Sequence, residues 1–237
     1  MFSDQFATRT GSNFHITAEQ ASNFAKTVSN DFNPIHDPGN KRFCVPGDLL
    51  FALAVENYGL STEISVDFIG LVNANTQLTY PLTSNSQEKT VTDETGKKYL
   101  TFRESGCKKS FDKYVERLVR AYVAFSGQNF PSILVPLMAE FDVMINPTRP
   151  LIIYQSMTLQ LSNLDFSHPS LSLSNSELDI SEKRGNAYLY FDVFDGTKLI
   201  GEGIKHLILS GLTPFDQNKV DQMIHKYNDN QKMYARL

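Results

Sequence analysis

The sequence predicts an α+β protein in which curved antiparallel sheets each wrap a buried central helix. Three observations carry this. The run Leu49-Leu50-Phe51-Ala52-Leu53-Ala54-Val55 reads as a helix apolar on nearly every side, and such a helix must be covered on nearly every side. Alternating strand patterns follow it, as an antiparallel meander would require. The same order, an apolar helix-length segment followed by alternating strands, recurs more loosely after residue 128. The chain therefore reads as two related units, 1–128 and 129–237, closed by a C-terminal amphipathic helix.

Composition bounds the function. At 41% hydrophobic and 20% charged residues, the 237-residue chain is ordinary globular material able to bury its own core. A net charge of −4 argues against a nucleic-acid protein, which usually carries a basic surplus. Two cysteines, Cys44 and Cys107, make neither a disulfide framework nor a metal cluster. A reducing cytoplasm is the expected location. Met1 to Thr17 lacks the basic start and apolar core of a secretory signal. The longest apolar run falls far short of the roughly 20 residues a bilayer span needs, so no membrane span is expected.

The elements follow in order. Thr17-Ala18-Glu19-Gln20 has the form of a capping box, and Ala21, Phe24, Ala25 and Val28 continue it as an amphipathic stripe. Asn30 and Asp31 end that helix, because short polar side chains compete for backbone hydrogen bonds. Residues 31–40 are too rich in turn formers for a helix or strand. Val45-Pro46-Gly47-Asp48 opens the buried helix, with Gly59 as a left-handed C-cap. Ile64-Val66-Phe68, Leu78-Tyr80, Tyr99 to Phe102 and Leu118 to Phe125 read as strands, separated by turns at 73–75 and 93–96.

In the second unit, Ile133 to Met144 reads as a helix beginning near Pro136. Met157-Leu159-Leu161, Leu171-Leu173 and Leu178-Ile180 alternate as strands. Tyr188 to Phe194 runs into Asp195-Gly196, a strong hairpin signal, with Leu199 to Leu209 as the return strand. Val220, Met223, Ile224 and Tyr227 lie at helical spacing in the tail.

The chemistry concentrates in Asp31-Phe32-Asn33-Pro34-Ile35-His36. A carboxylate and an imidazole separated by a rigid Asn-Pro turn can converge on one small volume. There they can orient a water molecule, one group taking a proton and the other handling the second transfer. Asn33 can bond its own backbone. Gly47, at the start of the buried helix, offers unpaired amides and the helix dipole to developing negative charge, and a glycine lets a ligand oxygen approach closely.

Asp31-x-Asn33-Pro34-Ile35-His36 followed by Val45-Pro46-Gly47 resembles the signature of the MaoC-like (R)-specific enoyl-CoA hydratases. Ile64-Ser65-Val66-Asp67-Phe68 and Asn75-Thr76-Gln77-Leu78-Thr79 resemble the first sheet strands of that family. The resemblance covers residues 14–80. Membership of an uncharacterised bacterial family of about this length is a further reading, which adds no function.

The resemblance implies a double hot-dog fold and hydration or dehydration of trans-2-enoyl thioesters. Asp31 and His36 would be the catalytic pair, with the Gly47 amide as oxyanion donor. Asn33, Lys41 and Arg42 are the candidate substrate-binding residues, the two basic ones placed to meet the phosphates of a pantetheine arm. The substrate would be an acyl-CoA or acyl-carrier thioester, with no cofactor and no metal. A homodimer is compatible, since single hot-dogs pair. Asn30 stands where the family has glycine and can adopt the same left-handed turn.

Asn146-Pro147-Thr148-Arg149 has no flanking aspartate and histidine, so one site per chain is expected. A thioesterase and a non-catalytic acyl-thioester binder or scaffold are the competing readings on the same fold. His15, His168, His206 and His225 have no metal spacing. Cys44 is assigned to packing, and Ser61, Ser105 and Ser126 lack a nucleophile-elbow context.

Overall fold

The computed structural model describes residues 2–81 and 87–234. Before residue 128 the strands are β1 (Thr8–Thr10), β2 (Asn13–His15), β3 (Leu60–Phe68), β4 (Gln77–Thr79), β5 (Glu88–Asp93) and β6 (Lys98–Lys109). The helices there are α1 (Ala18–Thr27), α2 (Gly47–Tyr58) and α3 (Lys113–Gly127). After residue 128 come α4 (Val135–Glu140), β7 (Val143–Met144), β8 (Ile152–Leu161), β9 (Pro169–Ser181), β10 (Arg184–Asp195), β11 (Lys198–Ser210), β12 (Thr213–Pro214) and α5 (Gln217–Tyr234).

Ten strands form one sheet in the order β1-β2-β4-β5-β6-β3-β8-β11-β10-β9, and each neighbouring pair is antiparallel. The chain has the expected α+β hot-dog fold, with the strands before and after residue 128 joined edge to edge through β3 and β8 in this one sheet. At that seam Ile64 faces Leu159 and Val66 faces Met157, and these four side chains are buried.

Helix α2 explains the curvature. Every residue from Asp48 to Val55 is buried, as is Tyr58. Each large apolar side chain on it gains about 1.5–3 kcal/mol from leaving water, so the sheet and α3 close around it. Phe51 packs edge-on against Tyr122 at 4.9 Å, and the Tyr80 hydroxyl donates to the Leu50 carbonyl at 3.1 Å. The helix stops at Gly59, whose φ of 88° and ψ of 179° are open only to glycine. A Cβ there would also lie 2.7 Å from the Lys109 carbonyl oxygen.

The capping box is present in full: Gln20 N donates to Thr17 Oγ1 at 3.1 Å, and Thr17 N to Gln20 Oε1 at 3.0 Å. The Asp195-Gly196 hairpin joins β10 to β11, and α5 is the expected C-terminal helix.

Two expectations change. Leu118 to Phe125 is not a strand but lies inside α3. Asp112 caps that helix by accepting from the Tyr114 and Val115 amides at 2.9 and 2.8 Å. Its β-branched and aromatic residues mimic a strand locally, but Val115, Leu118, Val119, Tyr122, Val123 and Ser126 form one buried helical face. The helix expected over Ile133 to Met144 is also broken up. A π-turn over Phe130–Leu134 leads into the short α4, Asp142 takes a φ of 52°, and Met144 already belongs to β7.

Among the described residues no helix is long and apolar enough to cross a membrane, and no group of three or more metal-ligating side chains forms. At its C-terminal end, α3 abuts the backbone that follows α1. A Cβ on Gly127 would fall 2.0 Å from the Ser29 carbonyl oxygen. The variant Gly127→Ala is expected to lose at least about 2 kcal/mol of stability, in the range of overpacking penalties, measurable by urea denaturation against wild type.

Candidate functional site

The chain leaves α1 through a sequence of backbone constraints that aim Asp31 inward. Asn30 sits at a φ of 53°, the left-handed turn anticipated for it, and the Asp31 amide donates back to the Ala25 carbonyl at 2.8 Å. Asp31 Oδ1 then accepts from the Asn33 amide at 2.8 Å. Asn33 Oδ1 accepts from the Ile35 amide at 3.2 Å, which starts a single 3-10 turn over Pro34–His36. Asn33 therefore spends its side-chain oxygen on holding the turn.

His36 is buried and its Nδ1 lies 2.7 Å from the Cys44 carbonyl oxygen. A carbonyl only accepts, so Nδ1 carries a hydrogen and Nε2 is the working nitrogen. Nε2 lies 3.4 Å from Asp31 Oδ2. Burial pushes the Asp31 pKa up, but the hydrogen bond and charge of His36, the Asn33 amide and the Lys26 ammonium more than reverse it. The net shift is downward. Asp31 is thus held as a carboxylate.

Both groups line a cavity of about 210 Å³. Leu50, Phe68, Leu134, Ile152 and Leu207 supply apolar wall, and Gly47 sits at the first turn of α2. That turn has no side-chain cap. The glycine admits the aromatic rings beside it, since a Cβ would lie 3.0 Å from Tyr154 Cδ1 and 3.1 Å from Phe68 Cε1. Lys41 and Arg42 are exposed and lie outside the cavity lining. The cationic side chains on the lining are instead Lys205 and Lys226.

A second polar group went unseen in the sequence. Ser126 Oγ donates to the Asp48 carboxylate, 2.7 and 2.8 Å from its two oxygens, and accepts from Lys205 Nζ. Lys205 Nζ also donates to the Ser126 carbonyl at 2.9 Å. Burial raises the Asp48 pKa, opposed by Lys205 and Ser126. Burial likewise lowers that of Lys205, opposed by Asp48 and Asp31. Nearby, the Tyr122 and Tyr154 hydroxyls bond to each other.

One readable signal existed. Gly203, Lys205, Leu207 and Leu209 share the buried register of β11, so a lysine stood where alternation calls for an apolar residue. Cys44 behaves as packing: burial pushes its thiol up to about 11, and it donates to the Val45 carbonyl at 3.2 Å.

Helix α5 closes over the turn. Tyr227 donates to the Asn30 carbonyl at 3.0 Å and Gln231 Nε2 to Asn30 Oδ1 at 3.0 Å, while Phe32 meets the Tyr227 ring edge-on at 5.8 Å.

A family model described as protein of unknown function (DUF3581) matches residues 1–218. The chain belongs to the DUF3581 family. No curated protein matches this DUF3581 chain. Solved structures similar to it include an acyl-CoA thioesterase II from Mycobacterium marinum, at 8% identity and a TM-score of 0.47, covering 91% of this chain and 100% of that one. A conserved protein of unknown function with a hot-dog fold from Alicyclobacillus acidocaldarius shows 11% identity and a TM-score of 0.44, covering 90% and 98%. A MaoC-like dehydratase shows 11% identity and a TM-score of 0.39, covering 87% and 98%.

Because the Asp31 pKa is lowered on folding, its ionisation stabilises the native DUF3581 chain above the ordinary value of 3.8. That contribution disappears as pH falls through the native value. Wild type is therefore expected to exceed Asp31→Asn in stability at pH 6. The difference should shrink steadily below pH 4 in urea denaturation series run on both proteins.

Proposed function

We propose that this protein adds water to, or removes it from, the double bond of a trans-2-enoyl thioester carried on coenzyme A or an acyl-carrier protein. The observation that carries the reading is the contact between Asp31 Oδ2 and His36 Nε2 at 3.4 Å, on the wall of an apolar cavity beside the uncapped start of α2. The fold alone would not choose between chemistries. The motif Asp31-x-Asn33-Pro34-Ile35-His36 and its resemblance to the MaoC-like hydratases favour hydration.

The pair can carry both proton transfers of this reaction. The proposed reaction starts from the form in which Nδ1 donates to Cys44 and Nε2 also carries a proton beside the Asp31 carboxylate. A water beside the pair, within hydrogen-bond reach of both groups, gives one proton to Asp31, and its oxygen bonds to the β carbon. The double-bond electrons move to the α carbon, which takes the Nε2 proton of His36. Asp31 then returns its proton to Nε2. The sum is one water added and the pair restored. Negative charge that passes onto the thioester oxygen during the reaction faces the Gly47 amide, where the helix dipole stabilises it. Elimination of water is the same path reversed.

The apolar wall suits an acyl chain, and both cysteines are free, as a reducing compartment would leave them. A thioesterase would aim its water at the carbonyl carbon and release a thiol, which gives the two readings different products.

The test is the ultraviolet absorbance of a short trans-2-enoyl-CoA incubated with the protein, beside a parallel thiol-release assay. Wild type is expected to bleach the enoyl signal without releasing thiol. Asp31→Asn and His36→Ala are each expected to lower the rate at least ~100-fold, the usual worth of acid–base catalysis, while changing stability by no more than about 1–2 kcal/mol. Thiol release with an unbleached enoyl group would overturn hydration in favour of hydrolysis. No change in either signal would leave a binder.

A further inference from the structure

Lys205 is only 4% exposed, and burying an ammonium is costly unless each of its hydrogens finds an acceptor. A lysine has three such hydrogens. One goes to the Ser126 carbonyl at 2.9 Å and a second to Ser126 Oγ. Asp48 neutralises the charge only at one remove, through the Ser126 hydroxyl that donates to it. Among the described residues the third hydrogen has no oxygen acceptor, and the ammonium rests against the Tyr154 ring, 4.4 Å from its centroid. Lys205 lines the same cavity as Asp31 and His36.

Tyr154 is also the ring against which Gly47 packs. The unpartnered hydrogen of Lys205 and the start of α2 therefore flank one aromatic side chain. Gly47 and Lys205 also line the same cavity, so its wall holds two donors for an oxygen that gains negative charge.

We infer that Lys205 is a second oxyanion donor, giving its remaining hydrogen to the thioester carbonyl oxygen alongside the Gly47 amide. This rests on the thioester reading of the cavity. No covalent step involves the lysine. It donates one hydrogen bond, which strengthens as the carbonyl oxygen takes up the electrons displaced by attack on the β carbon. Ser126 fixes the direction of the ammonium, and Asp48 holds the site near neutrality, so the donor is in place before the charge develops.

The inference separates from hydration because it concerns the carbonyl oxygen and can be read without turnover. Binding of butyryl-CoA is compared with that of S-butyl-CoA, which lacks the carbonyl oxygen, by calorimetry. Wild type is expected to prefer the thioester by more than tenfold, in line with a hydrogen bond to a charged group beside that of the Gly47 amide, and Lys205→Met to lose about tenfold of that preference and keep only what the Gly47 amide supplies.

Lys205→Met alone leaves Asp48 as an uncompensated buried carboxylate, which destabilises the fold, so Asp48→Asn/Lys205→Met is measured beside it. In wild type, which needs no substitution, the carbonyl stretch of bound butyryl-CoA should move to lower frequency than in water. An unshifted stretch, equal wild-type affinity for both compounds, or an undiminished preference in the folded double variant would each overturn the assignment. If the preference is present in wild type and reduced in the variant while no enoyl-CoA is hydrated, Lys205 stands as a carbonyl donor and only the hydration reading falls.

Discussion

Helix α2 is apolar on nearly every side from Leu49 to Val55, and most of the architecture answers to that. A helix with a single apolar stripe can rest on a flat sheet, whereas this one exposes oily surface in every direction until it is surrounded. Strands β3 to β6 curve past one side and α3 lies against another, where Phe51 meets Tyr122. The start of the helix is then forced to end inside the molecule. Its first-turn amides cannot all reach water, so the fold supplies a polar recess at that point. The candidate site occupies this recess, a consequence of burying α2 rather than an addition to it.

The recess draws its polar groups from distant parts of the chain. Asp31 and His36 come from the turn after α1, Asp48 from α2, Ser126 from the end of α3 and Lys205 from the middle of β11. These elements pack as a unit, so no single segment contains the site. The environments differ sharply. Asp31 receives a backbone amide and an imidazole and is held ionised, whereas Asp48 has one hydroxyl and a more distant ammonium and is pushed toward its protonated form. Two carboxyls lining one cavity are thereby set on opposite sides of the ordinary range, an arrangement that suits acid–base chemistry.

What could be read from the residues in order was whatever depends on neighbours in the chain. The capping box at Thr17, the Asn30 turn, the Asp31–His36 approach, the opening of α2 at Gly47 and the Asp195-Gly196 hairpin all involve residues close in sequence, and each has a local physical signature. Leu118 to Phe125 was misread because strand-forming residues can also line a buried helical face, and only the Asp112 cap and the 3.6-residue repeat distinguish the two. The Asp48–Ser126–Lys205 cluster was missed for a different reason. Its hydrogen bonds span 78 and 79 residues, and nothing local marks Ser126 as polar for a purpose. Lys41 and Arg42 attracted notice by adjacency to the motif, but adjacency in the chain does not bring them to the cavity.

The bracing of Asn30 by α5 has a consequence for the order of events during synthesis. Tyr227 and Gln231 reach back 197 and 201 residues to hold the backbone next to Asp31. Contacts of such long sequence separation form late, since a large loop must close before they return any energy. A nascent chain can bury α2 and zip its first strands while still attached to the ribosome. The wall beside Asp31 gains its last struts only after Tyr227 and Gln231 have emerged, so an incomplete chain can be well folded in its core and still lack a finished cavity.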